Sequence, residues 1–289
     1  AQKLVAEILY KPDNKKGHKV KSIGELGRVK NKLKTKLASM YKKIESIDHR
    51  IPLYTDHQAR LYIRTGKEDE IIPYGKPLDT DGIQKRLQNI HRFVEAYNKF
   101  TVQDDPSVVS KVYEVILYGF LSPFIWKIRD QFVLQDGRES MRSIFRPFLI
   151  MSGRAESGKT TVLEYLGQLM GYKDHYMNFS QFGASQVRAR KIGAILQSEI
   201  ISPLLIDEFT STFFTGTSGE DLVKTVSNEF TGPHPCVIGT TNTSGFSMPR
   251  QVDRRVYYLN ISNTFRKNDP ESKHYLIELQ QEVDNALFK

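Results

Sequence analysis

The run Phe148-Leu-Ile-Met-Ser-Gly153-Arg154-Ala155-Glu156-Ser157-Gly158-Lys159-Thr160-Thr161 decides how this chain is read. Phe148 to Ser152 is a short apolar strand, and Gly153 to Thr160 then fits the template G-x-x-x-x-G-K-[ST] in full. The glycines let the backbone curl so that successive N–H groups face one point, and a helix starting at Thr160 aims its positive end there. The residues expected to wrap a phosphate chain are Gly153, Arg154, Ala155, Glu156, Ser157, Gly158, Lys159, Thr160 and Thr161. Lys159 is placed to reach the β- and γ-phosphates, and the Thr160 hydroxyl to hold Mg²⁺. Val162, Leu163, Leu166, Leu169 and Met170 give the following helix one apolar side, and Gly171 stops it.

Two more strands end in chemistry. Pro203-Leu-Leu-Ile-Asp207-Glu208 closes on two acids, 48 residues after Lys159. Behind a phosphate loop, Asp207 is expected to hold the metal and Glu208 to act as base toward a water; solvated acids at a strand end are the alternative. Cys236-Val-Ile-Gly-Thr-Thr241-Asn242 ends in an amide that can bond a γ-phosphate or that water, or simply make a turn. Asp253-Arg254-Arg255 precedes Val256-Tyr-Tyr-Leu-Asn-Ile. One of these arginines is expected to stabilise charge on a neighbouring copy's phosphate, against the simpler reading of an ion pair with Asp253.

Between these points the sequence alternates short strands and helices. Strands are expected at Phe148–Ser152, His175–Phe179, Pro203–Asp207, Cys236–Thr241 and Val256–Ile261. Helices fall at Thr160–Met170, Gln186–Glu199, Glu220–Glu229 and Glu271–Leu287. The pattern predicts an α/β class with a five-stranded, mainly parallel sheet flanked by helices. Three regions follow: 1–104, a basic and mostly helical accessory region; 105–144, a helical linker or cover; and 145–289, the phosphate-binding core. Within the first, Leu61–Arg64 and Glu70–Tyr74 suggest a hairpin, and Asp79 caps a helix whose buried face is Ile83, Leu87, Ile90, Phe93, Val94 and Tyr97. Gln103 to Pro106 is read as a joint.

Of the 289 residues, 39% are hydrophobic and 11% aromatic, too many for a disordered chain. The net charge of +9 belongs to one segment: residues 1–43 carry 13 Lys/Arg against 3 Asp/Glu, leaving about −1 on the remainder. Val29, Leu33, Leu37, Met40, Tyr41 and Ile44 step by three or four, so Lys30, Lys32, Lys34 and Lys36 lie on the broad basic side of a helix. That side is either solvated surface or a footprint for DNA, RNA or an acidic partner. The longest apolar run, Val115 to Trp126, is broken by Gly119, Ser122 and Pro123 and reads as too short to cross a membrane. The single Cys236 leaves no internal disulfide, which points to a reducing compartment, most simply the cytoplasm. Ala1 in place of Met reads as a processed or excised piece, with room for a missing domain or partner chain.

The set G-x-x-x-x-G-K-T, L-L-I-D-E, V-I-G-T-T-N and D-R-R-V-Y-Y-L resembles the AAA+ class of P-loop ATPases. Within it, the compact spacing from Gly153 to Asn242 is similar to superfamily 3 helicases and viral primase-helicases. The resemblance covers residues 145–262 and implies Mg²⁺-dependent ATP hydrolysis in a homo-oligomeric ring, commonly of six copies, around a nucleic-acid channel. It implies helicase or translocase activity, in a mobile element or an antiphage defence system. One departure stands out. Lys224 is the only Lys or Arg between Glu208 and Asn242, where superfamily 3 carries a lysine-bearing channel hairpin, so Lys224 becomes the candidate contact and Phe213 and Phe214 are either channel aromatics or packing. The other function classes are an ATP-gated AAA+ scaffold or switch acting on a partner protein, and a small-molecule kinase.

Overall fold

The computed structural model describes residues 48–288 except 49, 57, 59, 66–69, 76, 103–104, 138–143 and 244–247. The basic helix expected around Lys30, Lys32, Lys34 and Lys36 lies outside the described residues.

β1 (Leu53–Thr55), β2 (Leu61–Thr65) and β3 (Glu70–Pro73) form an antiparallel sheet in that order, with Tyr54 opposite Tyr62 and Ile63 opposite Ile72. Asp79 then caps α1 (Thr80–Lys99), its carboxylate accepting from Gly82 N at 2.7 Å. Burial on α1 begins at Asn89 and includes Ile90, Phe93, Val94 and Tyr97. Ile83 and Leu87, expected inside, are 38% and 53% exposed, because the apolar stripe outruns the surface available to cover it.

β4 (Thr101–Val102) leads to α2 (Val108–Leu121), a 3₁₀ turn at Ser122–Phe124 and α3 (Ile125–Asp136). By length and composition, the continuous run Val108–Gln135 is apolar enough to cross a membrane, contrary to the sequence expectation. Pro123 marks the expected break between α2 and α3, but the short 3₁₀ segment that tolerates it in its first turn keeps the two helical pieces in one run. Here the run serves as a core element: Val108, Val112, Val115, Ile116, Ile125 and Trp126 are buried, as is Arg129.

The second half supplies β5 (Phe148–Ser152), α4 (Lys159–Leu169), β6 (Met177–Asn178), α5 (Ser185–Leu196), β7 (Leu204–Asp207), α6 (Ser211–Thr215) and α7 (Thr217–Glu229). It continues with β8 (Val237–Thr241), α8 (Arg250–Asp253), β9 (Val256–Asn260), β10 (Thr264–Phe265) and α9 (Pro270–Glu282). The five longer-range strands make one sheet, ordered β6-β7-β8-β5-β9, with every neighbouring pair parallel. Every residue of β5, β7 and β8 is buried, which is why these segments read as continuous apolar runs rather than alternation. β6 is two residues long instead of five, because the Asn178 side chain caps a 3₁₀ turn at Phe179–Phe182 and ends the strand. The last helix stops at Glu282, short of Leu287, where Val283 turns extended.

Residues on both sides of the expected joint share one core. Phe93 and Tyr97 of α1 and Val112 and Val115 of α2 pack with Leu149, Met151, Val162 and Leu166. The Asp105 backbone is tied to the Asn263 side chain, Asp105 N donating to Oδ1 at 2.8 Å and Nδ2 donating to Asp105 O at 3.0 Å. The described residues from 48 to 288 form one compact unit.

Candidate functional site

The parallel registers place Ser152 beside Thr241, and Asn178 beside Asp207, so the strand ends that carry chemistry open on one edge of the sheet. Ligands of open α/β sheets bind at that edge. The loop after Ser152 is shaped by two close approaches. Gly153 has φ 153° and a Cβ there would lie 2.0 Å from Ile261 O; Gly158 has φ 78° and a Cβ would lie 2.5 Å from the Phe265 ring. Neither position accepts a side chain. Glu156 holds a left-handed φ of 66° without that freedom, a strain found where a loop is shaped for function.

Lys159 opens α4 and is only 4% exposed. Its Nζ donates to Gly153 O at 3.0 Å, Arg154 O at 2.7 Å and Ser157 Oγ at 3.0 Å, which folds the ammonium into the loop. Burial lowers its pKa to about 8, and the nearby Asp207 carboxylate opposes the fall. Thr160 Oγ1 lies 3.2 Å and 3.1 Å from the two Asp207 oxygens. The Thr240 hydroxyl also donates to Asp207. Burial raises the Asp207 pKa, opposed by these two hydroxyl hydrogen bonds.

A hydroxyl beside a carboxylate is an oxygen donor set suited to Mg²⁺. No cluster of three His, Cys, Asp or Glu able to hold a metal occurs among the described residues. Thr160 and Asp207 therefore fit a cation completed by phosphate oxygens and water, as Mg²⁺ prefers, rather than one caged by protein.

Glu208 follows at a left-handed φ of 62°, with its N–H donating to Thr240 Oγ1 at 3.0 Å. The strained residue leaves the strand direction, and its exposed carboxylate accepts from Asn178 Nδ2 at 3.3 Å. Asn242, exposed just past β8, lines a 440 Å³ pocket with Glu156 to Thr161 and with Arg266, Lys267 and Lys273 from the segment around β10 and α9. Lys159, Thr160, Asp207, Glu208 and Asn242 thus meet at one edge.

Arg254 and Arg255 do not join them within the chain. β9 runs parallel to β5 with Val256 opposite Phe148, so both arginines sit at the other end of the strands. Five residues at about 3.3 Å each put that end roughly 16 Å away. Arg255 is 7% exposed and bonded to Asn228 Oδ1 at 3.4 Å and to Gln251 O, whereas Arg254 is exposed. Lys224 is paired with Glu220 at 2.7 Å, one turn back on α7. Phe213 and Phe214 are 8% and 0% exposed and pack with Phe209, so of the two readings it is packing that holds.

Sequence reading missed Asn178 and Thr240, which hold Glu208 and Asp207, and the basic wall of Arg266, Lys267 and Lys273. The polar end of a strand was the only available signal for the first two.

A family model described as the Aq_aa27 P-loop NTPase domain matches residues 58–245. The match starts ahead of α1, so the helices before the phosphate loop fall within the family's domain. A search of curated proteins finds no match. Among solved structures, the chain is similar to one in the E. coli MS115-1 HORMA:CdnC:Trip13 complex, at 16% identity over 70% of this chain and 71% of that one, with a TM-score of 0.37. It is also similar to C. elegans PCH-2, at 13% identity over 65% of this chain and 50% of that one, again with a TM-score of 0.37. With its loop, its Thr160–Asp207 pair and a family match across most of its length, this chain belongs to the Aq_aa27 P-loop NTPase domain family.

Proposed function

We propose that the chain hydrolyses ATP with Mg²⁺ in an AAA+-like assembly whose copies complete one another's sites. The observation that carries this reading is the meeting of Lys159, Thr160, Asp207 and Glu208 at one sheet edge while Arg254 lies exposed at the other. The loop amides and Lys159 bind the phosphates. Thr160 and Asp207 would hold Mg²⁺, which would supply charge neutralisation to the bound phosphates. Asn178 fixes the Glu208 carboxylate, which takes the proton of the attacking water, and Asn242 orients that water or the γ-phosphate. Arg254 of a second copy stabilises charge on the leaving phosphates; Arg255 is the weaker candidate because it is committed to its own fold.

The finer reading is a nucleic-acid motor in a ring, commonly of six, with residues 1–43 as the basic footprint. A second reading, an ATP-gated machine or switch acting on a partner protein, is favoured by the interval from Glu208 to Asn242. Its only Lys or Arg, Lys224, is ion-paired, and Phe209, Phe213 and Phe214 are buried. ATP turnover with and without single- and double-stranded DNA or RNA, beside a size measurement with a slowly hydrolysed analogue, separates them. Stimulation by nucleic acid supports the motor; turnover indifferent to it supports the partner-protein machine. A Glu208→Gln variant that binds ATP yet turns over at the wild-type rate would remove Glu208 as the base and with it the proposed chemistry.

A further inference from the structure

The phosphate loop is held by two aromatic residues that come from distant parts of the chain. Tyr97, near the end of α1, is fully buried and its hydroxyl donates to Gly158 O at 2.7 Å. Phe265, on β10, donates its backbone N–H to Glu156 O at 3.0 Å. The β4–β10 ladder, with Thr264 opposite Val102 and Phe265 opposite Thr101, brings the two together, and their rings meet edge to face at 5.0 Å.

A peptide group is planar and trans, so fixing its carbonyl fixes the opposite direction of its N–H. The carbonyl of Gly158 belongs to the same peptide as the N–H of Lys159. That carbonyl takes two donors, the Tyr97 hydroxyl and Val162 N at 3.0 Å, which uses both lone pairs. The Lys159 N–H, at the first position of α4, has no acceptor within the helix and is turned away from Tyr97. In the same way the Phe265 N–H on Glu156 O turns the Ser157 N–H away from Phe265. Burial raises the Tyr97 pKa, so the hydroxyl keeps the proton it donates.

We infer that Tyr97 is a positioning residue for phosphate binding: with Phe265 it sets the direction of the amides that line the loop. This deepens the ATP-binding reading and rests on it. The link is also mechanical, because the segment that aims the loop belongs to a helix 61 residues upstream of it.

The test compares Tyr97→Phe with Tyr165→Phe. The first keeps the ring and leaves Gly158 O its helical bond, so it folds. The second removes another buried tyrosine hydroxyl, bonded to Asn89 Oδ1 at 2.6 Å, without touching the loop. Inorganic triphosphate and ATP, each with Mg²⁺, are titrated against both variants and the wild-type chain. Tyr97→Phe is expected to weaken both ligands by the same factor of about 2 to 10, the range of one hydrogen bond, while Tyr165→Phe binds as wild type. Unchanged triphosphate affinity in Tyr97→Phe would overturn the inference, as would an equal loss in Tyr165→Phe. If the wild-type chain binds neither ligand, the ATP reading itself fails, an outcome distinct from the other two.

Discussion

Raising the pH should loosen ATP, through Lys159. The lysine is buried, and its pKa falls from 10.5 to about 8. A lysine with a depressed pKa carries its full charge below that value and loses it as the pH rises. The ammonium is about nine-tenths formed at pH 7 and about one-tenth formed at pH 9. A phosphate that binds only the charged form should therefore lose affinity about tenfold over those two units, or about 1.4 kcal/mol. The terminal phosphate is already ionised throughout this range, its second pKa being about 6. The assay is titration with a slowly hydrolysed Mg²⁺–ATP analogue at pH 7, 8 and 9 at fixed ionic strength. Binding at pH 9 should also take up a proton, seen as a buffer-dependent heat. Lys159→Arg, whose guanidinium stays charged, should bind more weakly overall but with no slope. A flat wild-type profile, or the same slope in Lys159→Arg, would refute the reasoning.

Mixing Arg254→Ala chains with Lys159→Ala chains should restore part of the turnover that neither has alone, measured by ATPase assay on demonstrably mixed oligomers; no recovery would argue against action between copies. Neutralising Lys30, Lys32, Lys34 and Lys36 together should weaken DNA or RNA binding and flatten its salt dependence, while an unchanged slope would leave that segment as solvated surface. His234 is 3% exposed beside the buried Arg129, and desolvation, helped by that cation, lowers its pKa to about 4. The native imidazole refuses a proton that the unfolded chain accepts below about 6.5, so stability should fall by about 2–3 kcal/mol between pH 7 and 4.5. Denaturant unfolding of the wild-type chain and of His234→Gln at both pH values checks this, since the variant should lack that part of the loss.

The parts that were legible in the sequence are those that local rules encode. Phe148–Ser152 is a strand with the bounds its apolar run gave, and the loop that follows is set by two glycines at positions where neighbouring atoms leave no room for a side chain. Periodicity found the buried half of α1 but overran it at Ile83 and Leu87, because a stripe records hydrophobicity and not the length of the surface that meets it. Polar partners were beyond reach. Asn178 and Glu208 stand 30 residues apart, Thr240 and Asp207 33, and Arg129 and His234 105. A continuous apolar run marks a strand buried on both faces, not which hydroxyl lies opposite it. The choice between Arg254 and Arg255 turned on one residue's difference in burial where the chain enters β9, a distinction that two identical side chains in sequence could not carry.

The lone cysteine gives this domain a reporter of its own breathing. Cys236 is fully buried just ahead of β8, its Sγ against Ser122 O at 3.6 Å, and burial pushes its thiol up to about 12. An alkylating reagent can reach it only when the start of the central strand parts from the 3₁₀ turn at Ser122, so the labelling rate counts those openings directly. Because β8 runs from that sulfur to Asn242 in the nucleotide crevice, a ligand clasped at one end should slow chemistry at the other by mass action alone.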